Sequence, residues 1–468
     1  MSKILTLFRF KGTLRKIFDE LGLHMAGVEL SVNDLRNIEN RIKDKSAEIG
    51  IVGLGYVGLP LALAFAEAGF NITGIDTEEG RVNRINRGIS YLLDIESDRL
   101  KKWVSSGKLK ATTKSSVMRR VDVIIICVPT PLTKTKEPDL TYIINATNEI
   151  ARYLRLGQLI ILESTTYPGT TREVVLPILE STGLRVGIDY FLTFSPERID
   201  PGSKNFTIKN TPKVVGGMEP KSTALAATLY SHVADRVLEV SSPEVAEMDK
   251  VFENVFRSVN IALVNELAKL CEKMNINVWE VIKAASTKPF GYMAFYPGPG
   301  VGGHCIPLDP YYLASKAREY YFHTRFIELA AEINETMPEY IVEQIVEALN
   351  THGKSLKGSK ILALGAAYKK DIEDLRESPA LRVIELLVQK KARVDYHDPY
   401  IPTIKHGSIK LKSVKLSSEM LHSYDCAVIL TDHSVYDFKS ITRASKLVFD
   451  TRGCTLDIKA NNIIRLGV

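Results

Sequence analysis

A lone cysteine, Cys305, stands in the stretch Gly298–Pro310, GPGVGGHCIPLDP, four residues ahead of an acid, Asp309. Gly302 and Gly303 permit positive φ and close backbone approach. Pro299, Pro307 and Pro310 stiffen the same segment. The run suits neither a helix nor a central strand, so it reads as a rigid loop that displays one side chain. A thiol displayed in this way can attack an aldehyde, giving a thiohemiacetal whose oxidation yields a thioester. Taken alone, the motif also fits a buried, inert cysteine, and His304 fits either a substrate contact or an ordinary loop residue.

A second candidate pair is Lys250 and Asn254, four residues apart in SPEVAEMDKVFENVFRSVNIALVNELAKLCEKMNI, which has no Gly or Pro after its start. The spacing puts both side chains on one helix face. A cation beside an amide can hold a developing oxyanion or polarise an alcohol as its hydride leaves. The same two residues also fit a solvated helix surface. The third constellation is Gly53, Gly55 and Gly58, a GxGxxG set between an apolar run and a helical pattern. The first glycine permits the tight turn, the second lets the backbone approach a pyrophosphate, and the third allows close strand–helix packing. Tyr56 and Val57 lie inside that turn. Asp76 closes the next apolar run about 20 residues on, where an acid hydrogen-bonds a ribose hydroxyl and repels the extra phosphate of NADP. The expected cofactor is therefore NAD, with Arg81 the one feature that would suit NADP.

These residues need a scaffold. The stretch AEIGIVGLGYVGLPLALAFAEAGFNITGID reads as strand, turn, helix and strand, the βαβ unit of a doubly wound sheet. VDVIIICVP and QLIILEST add strands, so a parallel sheet is expected to extend to about residue 240. The helical stretch from Pro243 runs some thirty residues, long enough to link two domains and to offer a dimer face over Val245–Met274. Near Lys360 the βαβ rhythm returns in KILALGAAYK, SPALRVIELLVQKK and ARVDYHDPY, with a degraded glycine signature; DCAVILT and KLVFDTRG add strands. The fold class expected is α/β, two Rossmann-like doubly wound parallel sheets joined by a central helical domain. The domain boundaries expected are 1–45 for an amphipathic helical appendage, 46–241, 242–335 and 336–468.

Composition narrows the class. The 468 residues suit about three domains, and 45% hydrophobic with 25% charged residues fits a globular chain. The net charge of +6 is spread along the sequence, with no basic block that would mark a nucleic-acid surface. Five widely spaced cysteines without a CxxC pair argue against a disulfide framework or structural zinc and for a reducing cytosol. No metal site is expected. No apolar run approaches the ~20 residues that span a bilayer, so a cytoplasmic protein without membrane partners is expected.

Six motifs together, GLGYVGLP, CVPTP, FSPERIDPG, EMDKVFENVF, GPGVGGHCIPLDP and AYKKDIEDLRESPA, resemble in type and order the UDP-glucose/GDP-mannose family of nucleotide-sugar dehydrogenases. The resemblance covers roughly residues 47–455. It implies oxidation of a sugar C6 alcohol to a carboxylate in two hydride transfers to NAD, with a UDP-sugar as substrate. It further implies that Cys305 is the nucleophile, that Lys250 and Asn254 stabilise oxyanions and position a water, and that Asp309 is an acid near that water. Glu197 matches a carboxylate implicated in thioester hydrolysis, with Arg198, Gly303 and His304 beside the substrate. Thr130 lies where the cofactor and the active-site loop meet, Lys369 reaches the substrate phosphate, and Arg376 reaches the cofactor side. The C-terminal half is implied to bind UDP, and the molecule to be a homodimer or higher oligomer through the central helix. In the glucose branch a lysine usually precedes the motif aspartate and a glutamate follows PE; here those positions are Leu308 and Pro201. The departures resemble the N-acetylhexosamine branch, most closely UDP-N-acetylglucosamine 6-dehydrogenases. UDP-N-acetylmannosamine, UDP-N-acetylgalactosamine and UDP-glucose are the alternatives.

Other classes leave features unused. A two-electron β-hydroxyacid dehydrogenase would need neither Cys305 nor a second nucleotide-type domain. A short-chain epimerase would open on TGxxGxxG and carry a YxxxK base. A non-catalytic nucleotide-sugar sensor would have no use for thiol, lysine and asparagine together.

Overall fold

A computed structural model describes residues 38–468 except 93, 134, 199–204, 304–305 and 408. Most of the appendage expected over 1–45, and Pro201, His304 and Cys305, lie outside the described residues. A helix covers 38–43, just ahead of the first strand. The chain divides into two compact units. One runs through Pro131 and adds Asp139–Lys250; the other comprises Leu132–Pro138 and Val251–Val468.

The first unit is built on eight strands: β1 (Glu48–Val52), β2 (Asn71–Ile75), β3 (Leu109–Thr112), β4 (Val123–Ile126), β5 (Leu159–Leu162), β6 (Phe191–Phe194), β7 (Lys213–Gly217) and β8 (Val237–Glu239). They lie in the order β3-β2-β1-β4-β5-β6-β7-β8. The first six are parallel and follow the dinucleotide-binding order, with the reversal between β1 and β4. The central strands β4, β5 and β6 are buried end to end because helices cover both faces. On β4, Val123 and Ile125 point into one core with Phe65, while Ile124 and Ile126 point into the other with Ile143. One step departs from the expected parallel sheet: β7 pairs antiparallel to β6, at Thr193–Gly217 and Phe194–Gly216. Apolar strand patterns fix burial, not direction, so the sequence did not announce it.

The helix Pro243–Lys273 is 31 residues long, as the uninterrupted pattern predicts. Among the described residues, no helix is both long and apolar enough to cross a membrane.

The second unit carries a five-stranded sheet from β9 (Lys360–Leu364), β10 (Arg393–His397), β13 (Cys426–Ile429), β14 (Val448–Asp450) and β15 (Ile463–Arg465). A separate hairpin pairs β11 (Thr403–His406) with β12 (Ile409–Lys412). The order β10-β9-β13-β14-β15 is all parallel. Counted from β9 it reads 2-1-3-4-5, the other common doubly wound arrangement. Its turn after β9 is closed by an acid in the same way as the turn after β1. Asp76, following β2, accepts from Leu54 N at 2.9 Å; Asp398, following β10, accepts from Ala366 N at 2.7 Å and Ala367 N at 3.0 Å. The second turn thus lacks the full glycine motif yet has the same kind of closing acid.

Candidate functional site

The glycine turn has the shape a dinucleotide needs. Gly53 has φ +91°, and a Cβ there would fall 2.5 Å from the Cys127 carbonyl oxygen. A Cβ on Gly58 would fall 1.9 Å from the Gly53 carbonyl oxygen, so the helix Gly58–Ala68 can begin this close only on glycine. A Cβ on Gly55 would meet nothing within 4 Å, leaving an open approach to the backbone. Val57 stands at the N-cap position without a side-chain cap, and Tyr56 is exposed. The carboxylate of Asp76 spans the turn by accepting from Leu54 N and Glu78 N, each at 2.9 Å. Arg81 is pinned by Glu78 at 2.8 Å and faces Asp76 at 3.5 Å, an engagement that suits NAD rather than a 2′-phosphate. Thr130 is buried in the loop that follows β4. These residues fit NAD: the helix N-terminus would take the pyrophosphate and Asp76 a ribose hydroxyl.

Elsewhere in the first unit, Lys250 and Glu197 meet. The Lys250 ammonium, buried on the long helix, donates to the main-chain carbonyl of Glu197 at 2.5 Å. The Glu197 carboxylate accepts from Arg198 N at 2.7 Å through one oxygen, and its other oxygen lies 3.4 Å from Lys213 Nζ. Arg198 sends its guanidinium to the Pro212 carbonyl at 2.8 Å.

In the second unit, Asn254 and Asp309 meet. Both are buried, and the Asn254 amide donates to the Asp309 carboxylate. Asp309 opens the helix Asp309–Glu319 behind Leu308. Arg257, one turn along the long helix, donates to the Asn254 carbonyl oxygen. The glycines ahead of residue 304 are sterically required. A Cβ on Gly302 would fall 2.6 Å from Tyr368 Cβ, and one on Gly303 (φ +93°) 2.9 Å from the Tyr368 ring. Gly303 N also donates to the Arg376 carbonyl at 3.0 Å. The Arg376 side chain forks onto Asp374, with 2.6 Å at its shortest. Lys369 is half-buried in the loop between β9 and the helix Pro379–Gln389.

Several buried groups escaped the sequence reading. Glu163, directly after β5, is paired with Lys213 at the start of β7, and Tyr230 OH donates to it at 2.5 Å. Burial pushes the Glu163 carboxyl up, against the pull of Lys213. Glu247 on the long helix accepts from Gly169 N at 2.6 Å, Thr171 N at 2.8 Å and Thr171 Oγ1 at 2.7 Å. Desolvation pushes its carboxyl up as well, to about 7. For Glu163 and Lys213 the available signal was a charge at the end of a strand-like run, in LIILE and KVVGG.

Residues 47–234 match the NAD binding domain of the UDP-glucose/GDP-mannose dehydrogenase family, 244–336 its central domain, and 362–457 its UDP binding domain. A UDP-N-acetyl-D-mannosamine dehydrogenase of Pyrococcus horikoshii is 37% identical over 86% of this chain and 95% of its own. A UDP-N-acetyl-D-glucosamine 6-dehydrogenase of Pseudomonas aeruginosa is 36% identical over 87% of this chain and 97% of its own. A solved structure of the UDP-D-ManNAc dehydrogenase from P. horikoshii superposes with a TM-score of 0.81, covering 90% of this chain and 99% of that one.

Proposed function

The chain belongs to the UDP-glucose/GDP-mannose dehydrogenase family, and on that premise we propose that it oxidises C6 of a UDP-N-acetylhexosamine, UDP-N-acetyl-D-glucosamine, to the uronate. It is an NAD-dependent nucleotide-sugar dehydrogenase acting on a UDP-sugar. Per sugar, the alcohol, two NAD and one water give the carboxylate, two NADH and three protons. NAD supplies the hydride acceptor in both oxidations.

The chain's own residues do the rest. Lys250 and Asn254 hold the C6 oxygen as it gains negative charge. The Cys305 thiolate bonds to the C6 aldehyde carbon, and loss of the second hydride leaves a thioester. Water then bonds to that carbon, Glu197 takes its proton, and the carbon–sulfur bond breaks to return the thiolate. Residues 46–241 serve NAD, 336–468 the UDP portion, and 242–335 carry Lys250, Asn254, Cys305 and Asp309.

The observation that carries this reading is the anchoring on both sides of residues 304–305. Gly303 is tied to the Arg376 carbonyl, and Asp309 is tied to Asn254. A structural loop with an inert cysteine has no need of a buried carboxylate–amide pair four residues on. Leu308, where the glucose branch carries lysine, supports an N-acetylated sugar. A second reading, UDP-N-acetyl-D-mannosamine, is favoured by the relative at 37% identity. A homodimer through the long helix is supported by exposed Val245, Met248, Phe252, Phe256, Leu263 and Leu270, which recur on one helical face.

Purified protein mixed with NAD and a panel of UDP-sugars tests the reading. Two NADH per sugar, with either N-acetylhexosamine preferred over UDP-glucose, is expected. Cys305→Ala should bind substrate yet make no acid. One NADH per sugar with a released carbonyl product would overturn the double oxidation.

A further inference from the structure

The buried group behind Glu197 has a composition that packing alone does not require. Lys213 lies between two carboxylates, paired with Glu163 and 3.4 Å from Glu197 Oε2. Lys213, Glu163 and Tyr230 are all fully or nearly fully buried. Tyr230 completes the set by donating to Glu163 Oε2 at 2.5 Å, and its ring faces the lysine ammonium at 4.9 Å. Cys127, after β4, is the further titratable group facing this cluster. Lys213 thus faces a carboxylate on either side, one fully buried and one at the edge of the cluster. A purely structural pairing of Lys213 would need only Glu163, whereas its ammonium also reaches the carboxylate of Glu197.

The arrangement gives Glu197 fixed contacts on both sides. Lys250 holds its main-chain carbonyl, while Arg198 N and Lys213 take one carboxylate oxygen each. We infer that Lys213 is a positioning residue for the acid-forming step, holding the Glu197 carboxylate ionised and aimed, and that Glu163 sets how much of the lysine's charge Glu197 receives. This rests on the assignment of Glu197 as the group that takes the proton from the attacking water. Only an ionised carboxylate can accept it as the water oxygen bonds to the thioester carbon and the Cys305 thiolate departs. Lys213 favours that ionised form by Coulomb attraction, and Glu163 competes for the same ammonium. The balance agrees with the titration directions. Burial works against the lysine's charge, yet the two carboxylates outweigh it and its amine is pulled up. Glu163 goes up through burial, reinforced by the charge of Glu197 and opposed by Lys213.

The two substitutions should therefore act in opposite directions, which loss of packing would not do. The assay follows acid formation by the full-length protein with NAD and its preferred UDP-N-acetylhexosamine from pH 5.5 to 9. The first-hydride burst is recorded separately. Lys213→Met should lower acid formation by about 30-fold with KM changed less than about 3-fold, and move its acidic limb up by about one pH unit. Lys213→Arg should restore the limb. Glu163→Gln, which keeps shape and leaves Lys213 wholly to Glu197, should move the limb to lower pH. If Lys213→Met does not fold, the Glu163→Gln shift still decides. A limb unmoved, or moved upward, in Glu163→Gln overturns the inference, as does equal loss in the Met and Arg variants with a raised KM. Glu197→Gln separates the two claims. Undiminished acid formation there defeats the assignment of Glu197 itself, whereas its loss beside a normal Lys213→Met profile defeats only the positioning role.

Discussion

The Lys250 ammonium donates to the main-chain carbonyl of Glu197 at 2.5 Å, so one helix side chain fixes the segment that carries the carboxylate. In the proposed mechanism Lys250 is both a charge for a developing oxyanion and the anchor of its neighbour. Lys250→Ala should lower kcat by about two to three orders of magnitude, as losing a preorganised oxyanion donor does. Single-turnover NADH formation checks this. Because the anchor is lost with the charge, both the first and the second hydride should slow.

Asn254 and Asp309 form the matching pair in the second unit. Removing the amide with Asn254→Ala leaves a buried carboxylate short of a donor, which costs about 1–3 kcal/mol. A denaturant melt should read that loss, and acid formation should fall with it. Asp309→Asn keeps the shape and should keep most of the stability while still losing acid formation. Equal activity of Asp309→Asn and the unaltered protein would remove the carboxylate from the reaction.

In the proposed site, cofactor choice rests on Asp76 and on its contact with Arg81. Asp76 takes two backbone N–H groups, and Arg81 is engaged by Glu78 at 2.8 Å and Asp76 at 3.5 Å. Asp76→Ser removes the repulsion toward a 2′-phosphate and releases part of Arg81. The ratio of kcat/KM for NADP over NAD should rise by about tenfold or more, since each 1.4 kcal/mol of differential binding is one decade. Steady-state rates with each cofactor test it.

Gly303 tests the loop that carries Cys305. Its φ of +93° and the Tyr368 ring 2.9 Å from a would-be Cβ leave no room for a side chain. Gly303→Ala should cost about 1–2 kcal/mol from the backbone conformation alone. The added contact should shift the loop, so acid formation should fall further than the change in melting temperature suggests. Tyr368→Ala in the same chain relieves the clash but not the φ, and should restore activity only in part.

The sequence made the local devices legible and left the long-range ones dark. Gly53, Gly55, Gly58 and Asp76 declared the dinucleotide turn because each answers a steric or charge demand within about 25 residues of chain. The long helix was legible from an unbroken run of helix-compatible residues. Lys250 and Asn254 could be read as sharing one face because they stand four apart on one helix. The direction of β7 was not legible, since a strand buried on both faces looks the same in either orientation. Nor was the Glu163–Lys213 pair, whose members are 50 residues apart and meet only because β5 and β7 share a sheet. The closing acid Asp398 was in view as part of HDP, but its role in sealing the turn after β9 needed the strand order.

Glu247 gives a pH dependence whose sign follows from its surroundings. Its carboxylate takes three donors from Gly169 and Thr171, each of which favours the ionised form, yet desolvation wins and its carboxyl rises from the ordinary 4.5 to about 7. The folded chain therefore holds a proton here that the unfolded chain has released. An acid raised in this way contributes stability that is fully present below pH 4.5 and is lost as the pH climbs to about 7. The full swing is about 3 kcal/mol for a shift of this size. Glu247→Gln has no proton to lose, so its stability relative to the unaltered protein should improve steadily between pH 5 and pH 7.5 and then level off. Denaturant unfolding of both proteins across that range reads the difference directly and cancels the contribution of Glu163, which titrates in the same direction. A constant difference across the range would mean that Glu247 is ionised throughout, with its three donors outweighing burial.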